Sequence, residues 1–593
     1  MVQAVPLSVR LQQIEPRLRR ILQLTGTPGC SIGVCHQGEE VCKLNIGLRD
    51  VEERLPVQSD TVFLLHSLTK AFTAAAFACL VDEGKVEWTT SVKSIIPQLR
   101  DEHLTPLDLL SMRSGYWPAN AFSWQGHNIV LMKKEDTIRN WNGLQQLGDF
   151  RSSYKYNNWG VALVGILVER LTGKELGHVM KERFFDPLKL KNTKMYDSIR
   201  TDNWAKSYGV LSDRSPVQIP EGSIGVGVFT EGGSGVVSTI DDMIPLYSAY
   251  LAALKHQFAT GCDRTPDNPF VQCRTIFKAH TFLYPGANEL LLEQSYACGW
   301  VRCQLPGSLG GIGMNSSQTT MPVVMGGGES RLCIYHQGMM PGSVSNISLI
   351  PDTETIVAVV ANSSHLGDAT DWISQMIIEE ILEAPVRNDY ERIVSDVSDR
   401  ILDHLPSIGR ELDKNRRHGT SPPYPLADYD GTFWNEKFTF KIDVRVKNDH
   451  LSITFNGAEI ETYDLRHYED NTWVWWMPYD ESCKRGRFVH LGDANYFLMR
   501  FDGYRGLSAF QESYIVLHTQ ANPAKMLEQV HQPTPNEPAW MQAIDQESKK
   551  DTRSRPYEAI ADVPNNGSQD TDERVPDVFN IPATCYGVGS TNA

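Results

Sequence analysis

The pattern of apolar and polar positions differs from one part of the chain to another, and it predicts strands in some regions and helices in others. The run GCSIGVCHQGEEVCKLNIGLRD alternates on both sides of Gln37-Gly38, which predicts a strand pair joined by a tight turn. The alanine-rich stretch from Ser67 to about Glu83 is apolar on all sides, which predicts a buried helix. Later, LCIYHQGMMPGSVSNISLIPDTETIVAVVANSS alternates again around Pro351-Asp352, as paired strands do.

These elements predict a mixed α/β (α+β) fold over residues 25–385. Strands at both ends with helices between them indicate one antiparallel sheet that the two ends share, flanked by helices and a helical subdomain. Residues 1–24 have the pattern of a single amphipathic helix. The segment 386–424 is charged and predicted to be partly helical, and because it finishes in GTSPPYP it is predicted to be a linker.

A different pattern begins after the predicted linker. Between residues 425 and 520 the runs KFTFKIDVRV, HLSITFNG and TWVWWMP read as short strands separated by turn residues. That spacing predicts a small β-barrel or β-sandwich as a separate domain. Residues 521–593 are rich in Pro, Asn, Ser and Asp, and we predict disorder because such a segment buries too little apolar area to offset its ordering entropy.

Composition narrows the possible partners. A net charge of -16 argues against nucleic acid and anionic membranes, since neither attracts an acidic surface. No run approaches the roughly 20 apolar residues of a membrane span, and the N-terminus lacks the apolar core of a signal peptide. The 11 cysteines are scattered without a C-x-x-C pair, which indicates reduced thiols and a cytosolic protein.

The segment Ser67-Leu68-Thr69-Lys70 is the first candidate for chemistry. Residues three apart on a helix face the same way, so Lys70 can reach the Ser67 hydroxyl. The positive end of the helix dipole favours a developing alkoxide, and a desolvated lysine titrates low enough to act as a base. Taken alone, the segment is more often a helix-capping serine followed by a surface lysine, because Ser-x-x-Lys recurs in many chains.

Two later segments carry further polar side chains. Tyr156-Asn157-Asn158 immediately precedes the predicted helix WGVALVGILVERLTG, where a phenol and a carboxamide can stand at the mouth of a site. Asn158 could instead cap that helix. His336-Gln337-Gly338 ends a predicted strand, and its glycine allows a ligand to approach the backbone. A solvent-facing histidine at a strand edge is the alternative for His336.

Taken in order, these three motifs resemble those of the serine β-lactamase and penicillin-binding-protein superfamily. Within it, the chain is similar to the class C β-lactamase and D-amino-acid peptidase or esterase branch, where tyrosine carries the second motif and histidine often starts the third. The resemblance covers about residues 25–385. Supporting segments are TVFLLHSLTKAFTAAAFACLVDEGKV, LTPLDLLSMRSGY, EGGSGVVSTIDDM and NISLIPDTETIVAVVANS, and LADYDGTFWN resembles a C-terminal lipocalin-like β-domain found on some members.

The resemblance implies a role for each matching residue. Ser67 would attack an acyl carbonyl and form an acyl-enzyme, while Lys70 and Tyr156 share general acid and base duty. Asn158 would hold Lys70 or the substrate amide. The backbone N–H groups of Ser67 and Met339 would form the oxyanion hole. In a separate catalytic role, His336 would polarise the site or bind the polar end of the substrate, with Gly338 beside it.

The sequence departs from the family pattern at positions that concern the substrate. Histidine at position 336 is mostly neutral at pH 7, so recognition of a substrate carboxylate should be weaker than with lysine. We therefore expect esters, thioesters or amides rather than penicillin-like antibiotics. Met112 and Arg113 stand where the family usually has a histidine before Ser-Gly. Trp117 and Trp159 fall in the region that frames the pocket, as substrate contacts or as core.

These observations predict a serine hydrolase that acts on an ester or amide through an acyl-enzyme on Ser67. An acyltransferase that moves the acyl group to a small alcohol or amine would need the same nucleophile. An inactive scaffold homologue is the third alternative. No cofactor is expected and no metal, because the histidines lack the spacing of metal ligands. The expected partner is a small-molecule acyl substrate, without nucleic acid or membrane, and the oligomeric state stays open.

Overall fold

The computed structural model describes residues 5–118, 127–197, 200–283, 293–435, 440–490, 495–502, 514–518 and 529–531. Its helices are α1 (Leu7–Gln13), α2 (Glu15–Leu24), α3 (Thr69–Asp82), α4 (Val92–Ile95), α5 (Pro106–Leu110), α6 (Thr137–Gly143), α7 (Asn158–Thr172), α8 (Leu176–Met180), α9 (Glu231–Ser234), α10 (Ile240–Thr260), α11 (Cys273–Ile276), α12 (Ala369–Ile381), α13 (Tyr390–Asn415) and α14 (Tyr479–Lys484). None of these described helices is long and apolar enough to cross a bilayer.

The strands fall into two groups along the chain. Those before residue 386 are β1 (Gly29–His36), β2 (Glu39–Asp50), β3 (Leu55–Pro56), β4 (Phe63–Leu64), β5 (Lys194–Met195), β6 (Tyr208–Val210), β7 (Pro216–Gln218), β8 (Val236–Ser238), β9 (Thr281–Phe282), β10 (Gln294–Tyr296), β11 (Val301–Leu305), β12 (Gly307–Ser308), β13 (Val323–Val324), β14 (Arg331–Met340), β15 (Ser343–Ile350) and β16 (Thr355–Ala361). Those after it are β17 (Gly431–Asn435), β18 (Lys441–Lys447), β19 (His450–Phe455), β20 (Thr462–Glu469), β21 (Thr472–Trp476), β22 (Tyr496–Asp502), β23 (Tyr514–His518) and β24 (Gln529–His531).

The central sheet of the first region joins both ends of that region. Its order among the described residues is β3-β2-β1-β16-β15-β14-β11-β10-β9, and all of the pairs are antiparallel. The first strand lies beside the last, with Cys30 opposite Ala361. The predicted shared sheet is therefore confirmed. So is the predicted turn, where Gln37 and Gly38 have φ values of 54° and 79°.

Helix α3 lies in the centre of this region, as its composition predicts. Its residues from Thr69 to Leu80 are all buried, Lys70 included. Small alanine side chains allow neighbouring helices and the sheet to approach on every side. A polar group on such a helix is held away from water, which determines how Lys70 titrates.

The segment predicted to be a charged, partly helical linker is helical over most of its length. Helix α13 occupies 390–415 and buries one apolar stripe, which consists of Tyr390, Val394, Val397, Ile401, Leu405, Ile408 and Leu412. Those positions recur every three or four residues, a helical period that the many charges between them obscure. At the N-terminus, two helices replace the predicted single one, since Pro16 starts α2 directly after α1.

The C-terminal strands form a second antiparallel sheet. Its order in the described residues is β23-β22-β21-β20-β19-β18-β17-β24, so neighbours in sequence are mostly neighbours in space. Strand β24 pairs with β17 and brings the last described segment back to the first strand. Part of the predicted disordered tail is therefore a strand, and residues 532–593 lie outside the described residues. A lipocalin-like barrel stays a prediction.

Candidate active site

Three of the predicted side chains meet at one oxygen atom. Ser67 lies in a short 3-10 turn, His66–Leu68, that leads into α3. Its Oγ is 2.8 Å from Lys70 Nζ and 2.8 Å from the Tyr156 hydroxyl. The segments that carry Ser67 and Tyr156 are separated by 89 residues in the sequence. A serine oxygen between an amine and a phenol has a proton acceptor and a proton donor within hydrogen-bond distance.

Lys70 is wholly buried, and burial lowers its pKa well below the ordinary 10.5. Its Nζ also donates a hydrogen bond to the Gly233 carbonyl at 2.9 Å. A neutral amine has one lone pair, which can accept the Ser67 proton while an N–H bonds to Gly233. The Tyr156 hydroxyl then donates to Ser67 Oγ, so the hydrogen bonds run in one direction from Tyr156 to Gly233.

The second motif is held by contacts from both sides. The Asn157 side chain caps α7 by accepting from the N–H groups of Trp159 and Gly160. Asn158 is therefore not the cap, contrary to the alternative that its position allowed. A Cβ built on Gly233 would lie 3.4 Å from Lys70 Nζ and 3.7 Å from Asn158 Oδ1, which places the carboxamide beside the amine.

Met112 and Arg113 position the loop that carries Tyr156. Met112 Sδ accepts a hydrogen bond from the Asn157 N–H at 3.2 Å, and the backbone at Met112 is left-handed with φ 57°. Arg113 Nε donates to the buried carboxylate of Asp108 at 2.8 Å, and Arg151 Nε donates to the same oxygen at 2.9 Å. The two arginines thus tie the loop to the start of α5. These are the contacts that Met112 and Arg113 make in this protein.

His336 lies under the site rather than at its mouth. The side chain is 1% exposed, Nδ1 is 2.7 Å from the Gln337 carbonyl, and Nε2 is 2.9 Å from the Tyr296 hydroxyl. A carbonyl only accepts, so Nδ1 carries the proton and Nε2 accepts from Tyr296. Burial lowers the pKa of His336 to about 3. Because both nitrogens already have partners, this geometry does not favour the predicted contact with the polar end of a substrate.

Sequence reasoning missed three groups at the site. Tyr296 donates to His336, and its ring contacts that of Tyr156 edge-on at 6.3 Å between centroids. His66 is fully buried with φ 49°, a strained value for a residue other than glycine, and its Nε2 shares a hydrogen bond with Ser343 Oγ. The third group is the Gly233 carbonyl. Of the three groups, only the Gly233 carbonyl could have been found from a local sequence pattern, which is the Gly232-Gly233 turn.

Strand β14 continues past its neighbour at the site. Its pairing with β11 ends at Tyr335 opposite Val301, while its pairing with β15 continues to Met340. The backbone of 336–340 is therefore free of a strand partner on one edge among the described residues. Gly338 is required here because a Cβ would collide with the Leu65 carbonyl. Met339, the predicted oxyanion donor, lies on the same projecting stretch.

The two predicted tryptophan contacts differ from each other. Trp159 is 1% exposed and stacks on Phe229 with 4.0 Å between ring centroids, which is a core position and not a pocket wall. Trp117 is half-buried, and its carbonyl accepts from the Asn157 side chain at 3.3 Å. Its contact with substrate stays a prediction. In the part of the chain that the structure describes, no group of three or more His, Cys, Asp or Glu could hold a metal ion.

Replacing Tyr156 by Phe should lower kcat by roughly 100- to 10,000-fold at unchanged fold, because it removes one proton-transfer group and keeps the ring. Turnover of a chromogenic ester and the melting temperature would be measured together. Tyr247→Phe is the matched control, since that buried hydroxyl in α10 has no hydrogen-bond partner among the described residues. A Tyr156→Phe protein as active as Tyr247→Phe would remove Tyr156 from proton transfer.

Known proteins resemble this chain in sequence and in fold. A family profile described as Beta-lactamase matches residues 17–378, and one described as Domain of unknown function (DUF3471) matches residues 415–501. The Unguisins hydrolase ungD' of Aspergillus campestris (strain IBT 28561) is 25% identical over 459 residues, which are 72% of this chain and 76% of the relative. The Beta-lactamase of Yersinia enterocolitica is 27% identical over 240 residues, 40% of this chain and 58% of the relative.

A solved structure extends the likeness to both domains. The octameric penicillin-binding protein homologue from Pyrococcus abyssi covers 86% of this chain and 98% of its own, with a TM-score of 0.51 and 19% identity, which shows a shared fold. The Beta-lactamase profile itself spans more than half of the 593 residues and includes all of the predicted catalytic side chains. The chain belongs to the beta-lactamase family of serine hydrolases.

Proposed function

We propose that this protein hydrolyses an amide or ester bond through an acyl-enzyme on Ser67. One observation carries the proposal: Ser67 Oγ lies 2.8 Å from a buried lysine amine and 2.8 Å from a tyrosine hydroxyl. Burial keeps the pKa of Lys70 low, so the amine is available as a base near neutral pH. The intact site argues against an inactive scaffold.

The proposed reaction has two half-reactions with the same groups. Ser67 Oγ bonds to the carbonyl carbon while its proton passes to Lys70. The resulting oxyanion accepts hydrogen bonds from the backbone N–H groups of Ser67 and Met339. The bond to the leaving amine or alcohol then breaks, and Tyr156 supplies the proton that the leaving group needs. Lys70 returns the proton that it took from Ser67 to Tyr156, so both groups regain their starting states. Water attacks the acyl-enzyme in the same way, giving a carboxylic acid and free Ser67.

Among such substrates we favour the amide of a peptide-like molecule. The projecting stretch of β14, 336–340, offers unpaired backbone groups to an extended substrate. The Aspergillus campestris relative, which aligns with 72% of this chain, is named for hydrolysis of unguisins. Since His336 is buried and neutral, a substrate carboxylate finds no cation there, which favours a neutral acyl group. We also propose a cytosolic location, because all ten described cysteines are free thiols.

A substrate panel in ¹⁸O-labelled water tests the proposal. Matched p-nitrophenyl esters and peptide anilides would be offered with the acyl group either neutral or carrying a carboxylate. Hydrolysis through an acyl-enzyme should place one ¹⁸O in the product acid, and the neutral acyl groups should react faster. Added hydroxylamine or alcohols distinguish an acyltransferase, which would form the transfer product in preference to acid. Absence of both turnover and a Ser67 adduct across the panel would contradict the proposal.

A further inference from the structure

The C-terminal β-domain reaches the catalytic domain close to the end of strand β14. Its residues 485–488 pass beside His127 and Asn128, and the Arg485 carbonyl accepts a hydrogen bond from the His127 N–H. A Cβ built on Gly486 would lie 3.2 Å from Asn128 Cβ, so the two segments are in close contact. We call residues 127–128 together with 485–488 the clamp.

Asn128 connects the clamp to the active-site hairpin. Its side chain is buried, and its amide donates to the Pro341 carbonyl at 2.7 Å and to the Pro220 carbonyl at 3.1 Å. The backbone at Asn128 is left-handed with φ 56°, a conformation that asparagine tolerates better than most residues. A buried donor in a strained backbone fixes the position of the two carbonyls that it bonds.

Pro341 is the first residue of the turn between β14 and β15. It directly follows Met340, and the proposed oxyanion donor Met339 lies one residue earlier. Catalytic donors act at full strength only when held within about 0.5 Å of the productive position. Among the described residues, this strand has no strand partner on its outer edge beyond Tyr335. Its other edge pairs with β15 as far as Met340, and the Ser364 hydroxyl donates to the Met340 carbonyl, so the Asn128 contact is one of a few that hold the strand end.

A second contact approaches the same strand end from the C-terminal domain. Phe488 is 6% exposed, and it packs in one apolar cluster with Met340 of β14. The other buried members of that cluster all belong to the catalytic domain: Val62, Leu64, Tyr196, Trp204, Ile224 and Val237. Phe488 is therefore part of the C-terminal domain in the sequence, but its ring packs among side chains of the catalytic domain.

Buried charged side chains hold the C-terminal part of the clamp, residues 485–488, in one position. The Arg487 and Glu461 side chains are 2% and 0% exposed and lie 3.5 Å apart. The Tyr463 hydroxyl donates to Glu461, and the opposite oxygen of that carboxylate is 3.4 Å from His127 Nδ1. A fully buried ion pair contributes little net stability, but it tolerates only a narrow geometry.

We propose that the C-terminal β-domain is a positioning element of the active site, which acts through Asn128 and Phe488 on the end of strand β14. Neither residue touches the reacting atoms, and both set where the Met339 N–H lies. The kinetic test of this inference rests on the proposed function. The deuterium-exchange test rests on the geometry alone.

Asn128→Gly and Phe488→Ala in the full-length chain test the clamp. Glycine tolerates the left-handed backbone and removes the whole Asn128 side chain with its amide, and alanine removes the Phe488 ring. Each variant should lose roughly 10- to 100-fold in kcat/KM, the range expected when a catalytic group is misplaced by about 1 Å. Affinity for an arylboronic acid, which forms a tetrahedral adduct with the serine, should fall by a similar factor. Amides of 336–345 should exchange with deuterium faster in both variants.

Trp476→Leu is the matched control. That half-buried ring packs on Gly409 of α13, and neither residue belongs to the clamp. It should lower the melting temperature as much as Phe488→Ala while leaving kcat/KM unchanged. Wild-type exchange rates at 336–345 in both clamp variants would overturn the inference, whatever the activity. Equal losses of kcat/KM in all three variants would also overturn it. Failure of wild type to be acylated would instead contradict the proposed function and leave the exchange result to decide on the clamp.

Discussion

Ser67→Ala should lower kcat by roughly four to six orders of magnitude, the loss seen when a hydrolase loses its serine nucleophile. The substitution removes one oxygen atom from a half-buried turn, so the fold and KM should change little. Lys70 and Tyr156 would remain in place without the atom between them. The decisive measurement is intact mass after incubation with a fluorophosphonate, in which wild type should gain one phosphonyl group and Ser67→Ala none.

Ser407→Ala serves as the control for this experiment. Ser407 is half-buried on α13, as Ser67 is half-buried in its turn. Its hydroxyl donates to the His404 carbonyl at 2.7 Å and, among the described residues, has no lysine or tyrosine partner like those of Ser67. That variant should keep wild-type turnover and label once. A stoichiometric adduct on the Ser67→Ala protein would place the nucleophile elsewhere.

The local part of the site could be predicted from the sequence. Ser67 and Lys70 are three residues apart on a helix, and the period of 3.6 puts their side chains on one face. The order of the motifs then identified Tyr156 and His336, but it did not predict the contacts that position these two side chains. Tyr296 reaches His336 across 40 residues and left no local pattern. Burial and the resulting neutral state of a histidine depend on packing from several elements, which a single sequence does not display.

Long-range contacts also explain what was missed in the fold. Asn128 bonds to Pro341 across 213 residues, and nothing in the sequence around either residue marks the pair. Helix α13 is different, because its apolar stripe has the helical period and agrees with the predicted partly helical character of this segment. The charges between those apolar positions and the following GTSPPYP hid the full length of the helix. The sheet was predictable because its strands alternate in the sequence itself.

Lys70→Met should lower kcat/KM by roughly 100- to 10,000-fold, as expected for loss of a general base. Methionine resembles lysine in length but cannot accept the Ser67 proton. In wild type the neutral amine is the active form, so activity should rise with pH through the lowered pKa of Lys70 and then level off. The Met variant should lack that plateau, because hydroxide must replace the amine. A pH profile of kcat/KM from pH 5 to 10 measures both features.

The same lowered pKa makes an independent prediction about stability. Below pH 10.5 the unfolded chain carries a protonated Lys70, whereas the folded protein holds it neutral until the pH falls below the lowered pKa. Folding therefore releases a proton in this window, and its cost grows as the pH falls. Relative to wild type, the melting temperature of Lys70→Met should rise as the pH is lowered from 10 toward 7. Loss of the bond to Gly233 adds a pH-independent offset and leaves this slope intact. A melting-temperature difference that stays constant over this pH range would mean that Lys70 is charged in the folded protein.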